Sequence, residues 1–142
     1  MMTSAVPLVF VVAATLVLAV TGNLLTASPF VILAQVTAVG LSVWARRSFQ
    51  KGTFRVSAAP GGTAVIRRGP YRIIRHPMYS AALLFIWAGV VSHASLLTLS
   101  IGVAVTVVAV VRVIAEERLL RAKYPDYDQY ARTTRALVPF AF

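Results

Sequence analysis

The sequence predicts an all-α, polytopic transmembrane protein of about four spans. Three observations carry that expectation. Hydrophobic residues make up 58% of the 142 residues and charged ones only 13%, against roughly a quarter in a soluble globular domain. Uncharged stretches occupy residues 1–45 and, apart from His93, 78–111. All fourteen Lys and Arg fall in two blocks that follow those stretches, Arg46 to Arg75 and Arg112 to Arg135.

The first stretch is too long for one crossing, because about 20 apolar residues span a bilayer. Thr21-Gly22-Asn23 and Ser28-Pro29 supply turn chemistry in its middle. One helix is therefore expected over 4–21 and a second over 29–46. A cleaved signal peptide is the other reading of the first helix, but no Lys or Arg precedes its apolar run. Residues 48–77 form a basic linker, broken at Ala59-Pro60-Gly61-Gly62-Thr63, with Val65-Ile66 and Ile73-Ile74 suited to headgroup level.

Pro77 suits the first turn of a third helix, where its missing N–H costs nothing. That helix, 78–91, would rise only ~21 Å, short of the ~30 Å hydrocarbon core. Tilt, partial re-entry or local bilayer thinning would accommodate it. Ser92-His93-Ala94-Ser95 separates it from a fourth helix over 95–122, long enough to span and project. The polar tail from Tyr124 to Phe142 is expected to fold back against the membrane face. The chain then reads as one membrane domain: hairpin 1–47, linker 48–77, hairpin 78–122 and tail 123–142.

Charge distribution orients these spans. The positive-inside rule places both basic blocks, and both termini, on the cytoplasmic side. The expected location is a prokaryotic inner or plasma membrane, crossed several times. A net charge of +10 otherwise suggests nucleic acid, but blocks flanking apolar spans have the topological explanation, so no nucleic-acid partner is expected. There is no Cys, which removes disulfides, thiolate nucleophiles and Cys-based metal sites. The two His lie on opposite sides of the expected bilayer, so no metal partner is expected, and His93 reads as a surface residue.

Two constellations offer chemistry. Gly69-Pro70-Tyr71-Arg72-Ile73-Ile74-Arg75-His76-Pro77-Met78-Tyr79 sets a planar cation, an imidazole and a phenol at a membrane-facing turn. Arg bonds carboxylate or phosphate bidentately, and His donates or accepts near neutral pH. A cationic anchor with an aromatic belt explains the same residues, and chemistry alone leaves both open. Glu116-Glu117 is the second. Acids are costly near hydrocarbon, so an adjacent pair invites a cationic ligand. Pairs at i,i+4, Arg112–Glu116 and Glu117–Arg121, would satisfy them equally. Tyr124-Pro125-Asp126-Tyr127-Asp128-Gln129-Tyr130 either caps a site or anchors the tail at the interface. No Gly-rich phosphate loop and no GxSxG element is present.

Taken together, Gly69-Pro70-Tyr71, Arg75-His76-Pro77-Met78-Tyr79, an apolar hairpin, Glu116-Glu117, Tyr124-Pro125-x-Tyr127-x-x-Tyr130 and Val138-Pro139 resemble one family. It is the isoprenylcysteine carboxyl methyltransferase and phospholipid methyltransferase family of integral membrane enzymes. The resemblance covers residues 65–140. It implies a cytoplasmic pocket for S-adenosylmethionine, with Tyr71, Arg75, His76, Pro77, Tyr79, Glu116 and Glu117 as cofactor-binding residues. Arg75 and His76 would meet the cofactor's carboxylate, and Glu116 or Glu117 its ammonium or ribose. Glu117 and His76 are the candidates for a catalytic base. The implied partners are a lipophilic or lipid-modified acceptor and membrane lipid. Ser80-Ala81 and Tyr124-Pro125 depart from the family's usual residues. Two alternatives remain: an NADPH-dependent membrane reductase similar to sterol reductases, with Arg67 and Arg68 on a 2′-phosphate, and a non-enzymatic scaffold.

Overall fold

The structure is a computed structural model and describes residues 6–48 and 65–138. The expected break at Ala59–Thr63, the cations Lys51 and Arg55, and Pro139 lie outside the described residues. Helix α1 runs Val6–Val20, α2 Pro29–Arg47, α3 Pro77–Ser92, α4 Leu96–Lys123 and α5 Tyr127–Thr133, with a 3-10 turn at Gly69–Arg72. Among the described residues there is no strand, so the all-α expectation holds.

Each helix ends where its sequence provides a stop or start. The N–H of Asn23 bonds the Leu18 carbonyl at 2.8 Å, and that of Gly22 the Ala19 carbonyl at 3.1 Å. This Schellman pattern requires the left-handed φ of +71° that Gly22 adopts. Helix α2 opens on Pro29. Helix α4 opens on a capping box, in which the Ser95 hydroxyl accepts from the Thr98 N–H and the Thr98 hydroxyl accepts from the Ser95 N–H.

Helices α2 and α4 are long and apolar enough to cross a membrane, yet only 17% and 33% of their most apolar windows are buried. A core helix of a soluble protein would bury most of such a window, so these faces suit lipid. Helices α1 and α3 are shorter, at 15 and 16 residues. At 28 residues, α4 is about 42 Å long and its basic end exceeds the ~30 Å core.

The interior is assembled between helices. Ala14 and Leu18 of α1, Leu24 of the loop, Ile86 and Val90 of α3 and Val105 of α4 form its main cluster. Polar groups inside it are paired, as burial demands. The Trp87 indole donates to the Thr106 hydroxyl at 2.9 Å, and buried Gln35 donates to the Leu24 carbonyl at 2.7 Å. The outer faces stay apolar and open, with Val20, Phe30 and Leu96 each more than four-fifths exposed.

The tail does fold back. Ile74 and Arg135 form a parallel bridge, in which the Arg75 N–H bonds the Arg135 carbonyl at 2.7 Å and the His76 N–H bonds the Ala136 carbonyl at 3.0 Å. Extended backbone ahead of α3 is thereby satisfied by the end of the chain.

Candidate functional site

The site is built where α3 begins and α4 ends. The 3-10 turn fixes its near wall. Gly69 sits at φ +59°, against α2; a Cβ there would lie 2.1 Å from the Ser48 hydroxyl and 3.2 Å from the Trp44 indole nitrogen. Arg68 Nε donates to the Ser48 carbonyl at 3.1 Å, a cation closing the C-terminal end of α2. The turn is thus clamped, and the residues after it are aimed at α4.

Arg75 reaches Glu117, with Nε 2.7 Å from Oε1. Its Nη1 donates to the Ala131 carbonyl at 2.9 Å and to the Thr134 carbonyl. Tyr79 Oη donates to Glu116 Oε1 at 2.8 Å and accepts from Arg112 Nε at 3.2 Å. His76 is buried between the two acids. Its Nδ1 is 3.6 Å from Glu116 Oε2 and its Nε2 is 3.5 Å from Glu117 Oε1. Neither separation is a hydrogen bond, and Nε2 is buried without a partner.

Both i,i+4 pairs also form. Arg112 Nε lies 2.9 Å from Glu116 Oε1, and Arg121 Nη2 lies 3.0 Å from Glu117 Oε2. The sequence posed ion pairing and ligand binding as alternatives for the acids; in the structure each acid carries an arginine and faces His76. Arg75 is held within the protein by Glu117 and the tail, so its guanidinium serves as a tie between segments. Pro77 is fully buried at the start of α3. Tyr71, within the 3-10 turn, is buried, and its carbonyl accepts from Tyr130 Oη at 2.6 Å. The seven expected site residues therefore gather at one end of the helices.

Sequence reasoning left the tail's role open between a cap over the site and an interfacial anchor. In the structure Tyr124, Tyr127 and Tyr130 are buried together against Val65 and Leu120, which does not suit the anchor. The i,i+3 spacing of Tyr127 and Tyr130, one face of α5, was the available signal. Burial pushes the Tyr127 phenol above its usual range, with the Glu117 carboxylate adding to the rise, and its Oη has no partner. Burial raises the Tyr71 phenol in the same way, helped by Tyr130 and Glu116. Burial likewise pushes Tyr130 up to about 12, against the opposing pull of Arg75 and Arg67. Arg67 pairs with Asp126, and its guanidinium stands 5.5 Å over the Tyr130 ring. Arg67 and Arg68, which the reductase alternative places on a phosphate, are thus engaged with Asp126 and Ser48. His93 caps α3 at the opposite end, 3.1 Å from the Ser92 hydroxyl. Among the described residues no group of three His, Asp or Glu gathers to hold a metal.

The apolar helices and the match to a family of methyltransferases place the chain among membrane-associated proteins of that class. The chain is a member of the phospholipid methyltransferase family, whose model matches residues 4–127. It is 32% identical over 80 residues to the nickel-cobalt-cadmium resistance protein NccN of Alcaligenes xylosoxydans xylosoxydans, covering 54% of this chain and 37% of that protein. It is 35% identical over 78 residues to the cobalt-zinc-cadmium resistance protein CzcN of Cupriavidus metallidurans, covering 53% and 35%. The matches thus span little more than a third of the length of these curated relatives. No solved structure matches.

Proposed function

We propose that this protein transfers a methyl group from S-adenosylmethionine to a lipophilic acceptor in the membrane, an isoprenylcysteine-like carboxylate being the acceptor chemistry nearest to the resemblance. In this reading four helices cross the bilayer and both termini face the cytoplasm. The observation that carries it is the convergence of Arg75-His76-Pro77-Met78-Tyr79 on Glu116-Glu117 around buried groups that lack partners, in a chain of this family.

The residues present fit the cofactor's chemistry. Buried polar atoms are almost always paired. Here His76 Nε2 and Tyr127 Oη make no hydrogen bond; Nε2 lies 3.5 Å from Glu117 Oε1, and the Glu117 charge acts on the Tyr127 phenol. Two open positions beside a carboxylate suit a ligand bearing ammonium, carboxylate and hydroxyl groups. When bound, S-adenosylmethionine supplies an electrophilic methyl on a sulfonium centre. His76 and Tyr127 would fix the ligand's polar groups, Glu116 and Glu117 would favour its positive charge, and Tyr79 would hold Glu116 in place. The apolar faces of α3 and α4 would admit the acceptor laterally while excluding water. Holding donor and acceptor in line supplies much of the rate of such a reaction. A carboxylate acceptor is already ionised at neutral pH and needs no base, so Glu117 or His76 acts as one only for an acceptor that must lose a proton. Two relatives are named for metal resistance. We carry that over only as a phenotype, because a methylated membrane component alters the membrane without requiring this chain to ligate metal.

Titration calorimetry on purified protein in lipid nanodiscs tests the reading. S-adenosylmethionine should bind once per chain, and His76→Ala or Glu117→Ala should weaken it at least about tenfold, the loss of one hydrogen bond to a charged group. No binding heat from the intact protein sinks it.

A further inference from the structure

We propose that the cleft between α4 and the tail is a binding site for the phosphate of a net-anionic membrane lipid, gripped by Arg118 and Arg135. The cleft holds about 350 Å³ and opens beside Arg75 and Glu117. Its walls carry four guanidinium groups, from Arg75, Arg118, Arg121 and Arg135, against a single acid, Glu117.

The cations are not equivalent. Arg75 is tied to Glu117, and Arg121 to Glu117 and Asp128. Arg118 and Arg135 are exposed and take part in no ion pair among the described residues. Two free cations facing one cleft invite an anion, and guanidinium is the side chain best matched to phosphate oxygens. They also arrive from different elements. Arg118 stands on α4, and Arg135 is set by the backbone bridge to Ile74. Two cations brought to one cleft from different elements can grip an anion between them, whereas cations along one helix are only a charged face.

The apolar wall says that the anion carries a tail. Val113, Ile114, Ala131 and Ala136 complete the lining, and Ile114 is 45% exposed on the outer surface of α4. Ile114 and Arg118 lie on one helix face, about 6 Å apart along the axis. With α4 standing across a bilayer, that step would take the cleft from acyl depth towards headgroup depth. An ammonium-bearing headgroup gains little beside Arg118 and Arg135, because the cleft carries four guanidinium groups against one acid. The cleft therefore selects phosphate without a compensating cation. It shares Arg75 and Glu117 with the methyl-transfer reading but does not depend on it.

Native mass spectrometry of the full chain in neutral detergent tests this, using phosphatidylglycerol and phosphatidylcholine with identical acyl chains. One phosphatidylglycerol should stay bound under conditions that strip phosphatidylcholine, and glycerol phosphate in tenfold excess should not displace it. The Arg118→Gln/Arg135→Gln variant should lose that lipid by about thirtyfold in affinity, on the scale of two cations near a charged headgroup. Arg47→Gln/Arg132→Gln removes the same net charge elsewhere and should retain it. Equal losses in the two variants, or no preference in the intact protein, would overturn the proposal by reducing the effect to general surface charge. Displacement by glycerol phosphate would do so by showing a soluble-anion site. Calorimetry on the first variant separates the cleft from the cofactor: loss of S-adenosylmethionine affinity matching the lipid loss would assign the cleft to the cofactor instead.

Discussion

Arg75 and Glu117 form an ion pair at 2.7 Å with side chains only 11% and 10% exposed, although 42 residues separate them in the chain. The pair joins the segment before α3 to the end of α4. Through Nη1 the same guanidinium holds the Ala131 and Thr134 carbonyls, so a third segment, the tail, depends on it. The tie explains why the basic turn lies against the glutamates at all: the apolar hairpin between them only brings the two ends to the same side.

Removing one partner of a buried pair costs at most about 3–5 kcal/mol; here Glu117 keeps Arg121, while the Ala131 and Thr134 carbonyls lose their donor. Arg75→Ala should therefore lower thermal stability in nanodiscs strongly and expose the tail to protease. Arg75→Lys should recover little, because an ammonium cannot span Glu117 and two carbonyls in the plane of a guanidinium. Limited proteolysis followed by mass analysis reads the tail directly. A Lys variant as resistant as the unaltered protein would contradict the planar tie.

Gly69 clamps the other side of the site. Alanine there meets the Ser48 hydroxyl at 2.1 Å and must hold φ +59°. The left-handed conformation alone costs about 1–2 kcal/mol. Gly69→Ala should destabilise by at least that much, and Gly69→Ala/Ser48→Ala should recover only the steric part. Thermal unfolding of the two variants separates the terms, and full recovery in the double variant would show that the backbone conformation costs nothing.

The four apolar helices were legible because uncharged apolar runs, bounded by Gly22, Pro29, Pro77 and Ser95, dictate them locally. The gathering of Arg75, His76 and Tyr79 with Glu116 and Glu117 was legible through charge placement and the family's motif. The tail was not. Tyr124, Tyr127 and Tyr130 suit a membrane interface by composition, and only the tertiary pairing of 73–76 with 135–136 shows that they are interior. The choice between pairing and binding for the two acids also could not be read from spacing, because Arg112 and Arg121 at i,i+4 do not reveal that His76 stands on the acids' other side.

The Tyr130 hydrogen bond to the Tyr71 carbonyl is 2.6 Å long and should make the tail alkali-sensitive. Burial raises this phenol from its ordinary value of 10 to about 12. The raised group is the protonated, neutral one, so its stabilisation is complete below pH ~10. It is lost as pH rises towards 12. Tyr130→Phe cannot titrate, so the stability difference between the two proteins should be constant up to about pH 9 and shrink above pH 10. Chemical denaturation across that range measures it, and a difference that grows with pH would reverse the assigned sign.

Tyr79 separates support from binding. Its Oη lies between Glu116 Oε1 at 2.8 Å and Arg112 Nε at 3.2 Å, while Arg112 reaches Glu116 directly at 2.9 Å. The acid therefore keeps its cation when the phenol is removed. Tyr79→Phe should cost stability only about 1.5–3 kcal/mol, the scale of one hydrogen bond to a charged acceptor. Glu116 Oε1 then keeps Arg112 as its donor, and the carboxylate is held less firmly beside His76. Affinity for S-adenosylmethionine should fall further than stability does, and Glu116→Gln, which keeps shape but not charge, should fall further still. Calorimetry beside thermal unfolding gives both quantities for each variant. Equal cofactor affinity in the intact protein, Tyr79→Phe and Glu116→Gln would assign this carboxylate to helix packing alone and leave Glu117 as the acid that meets the ligand.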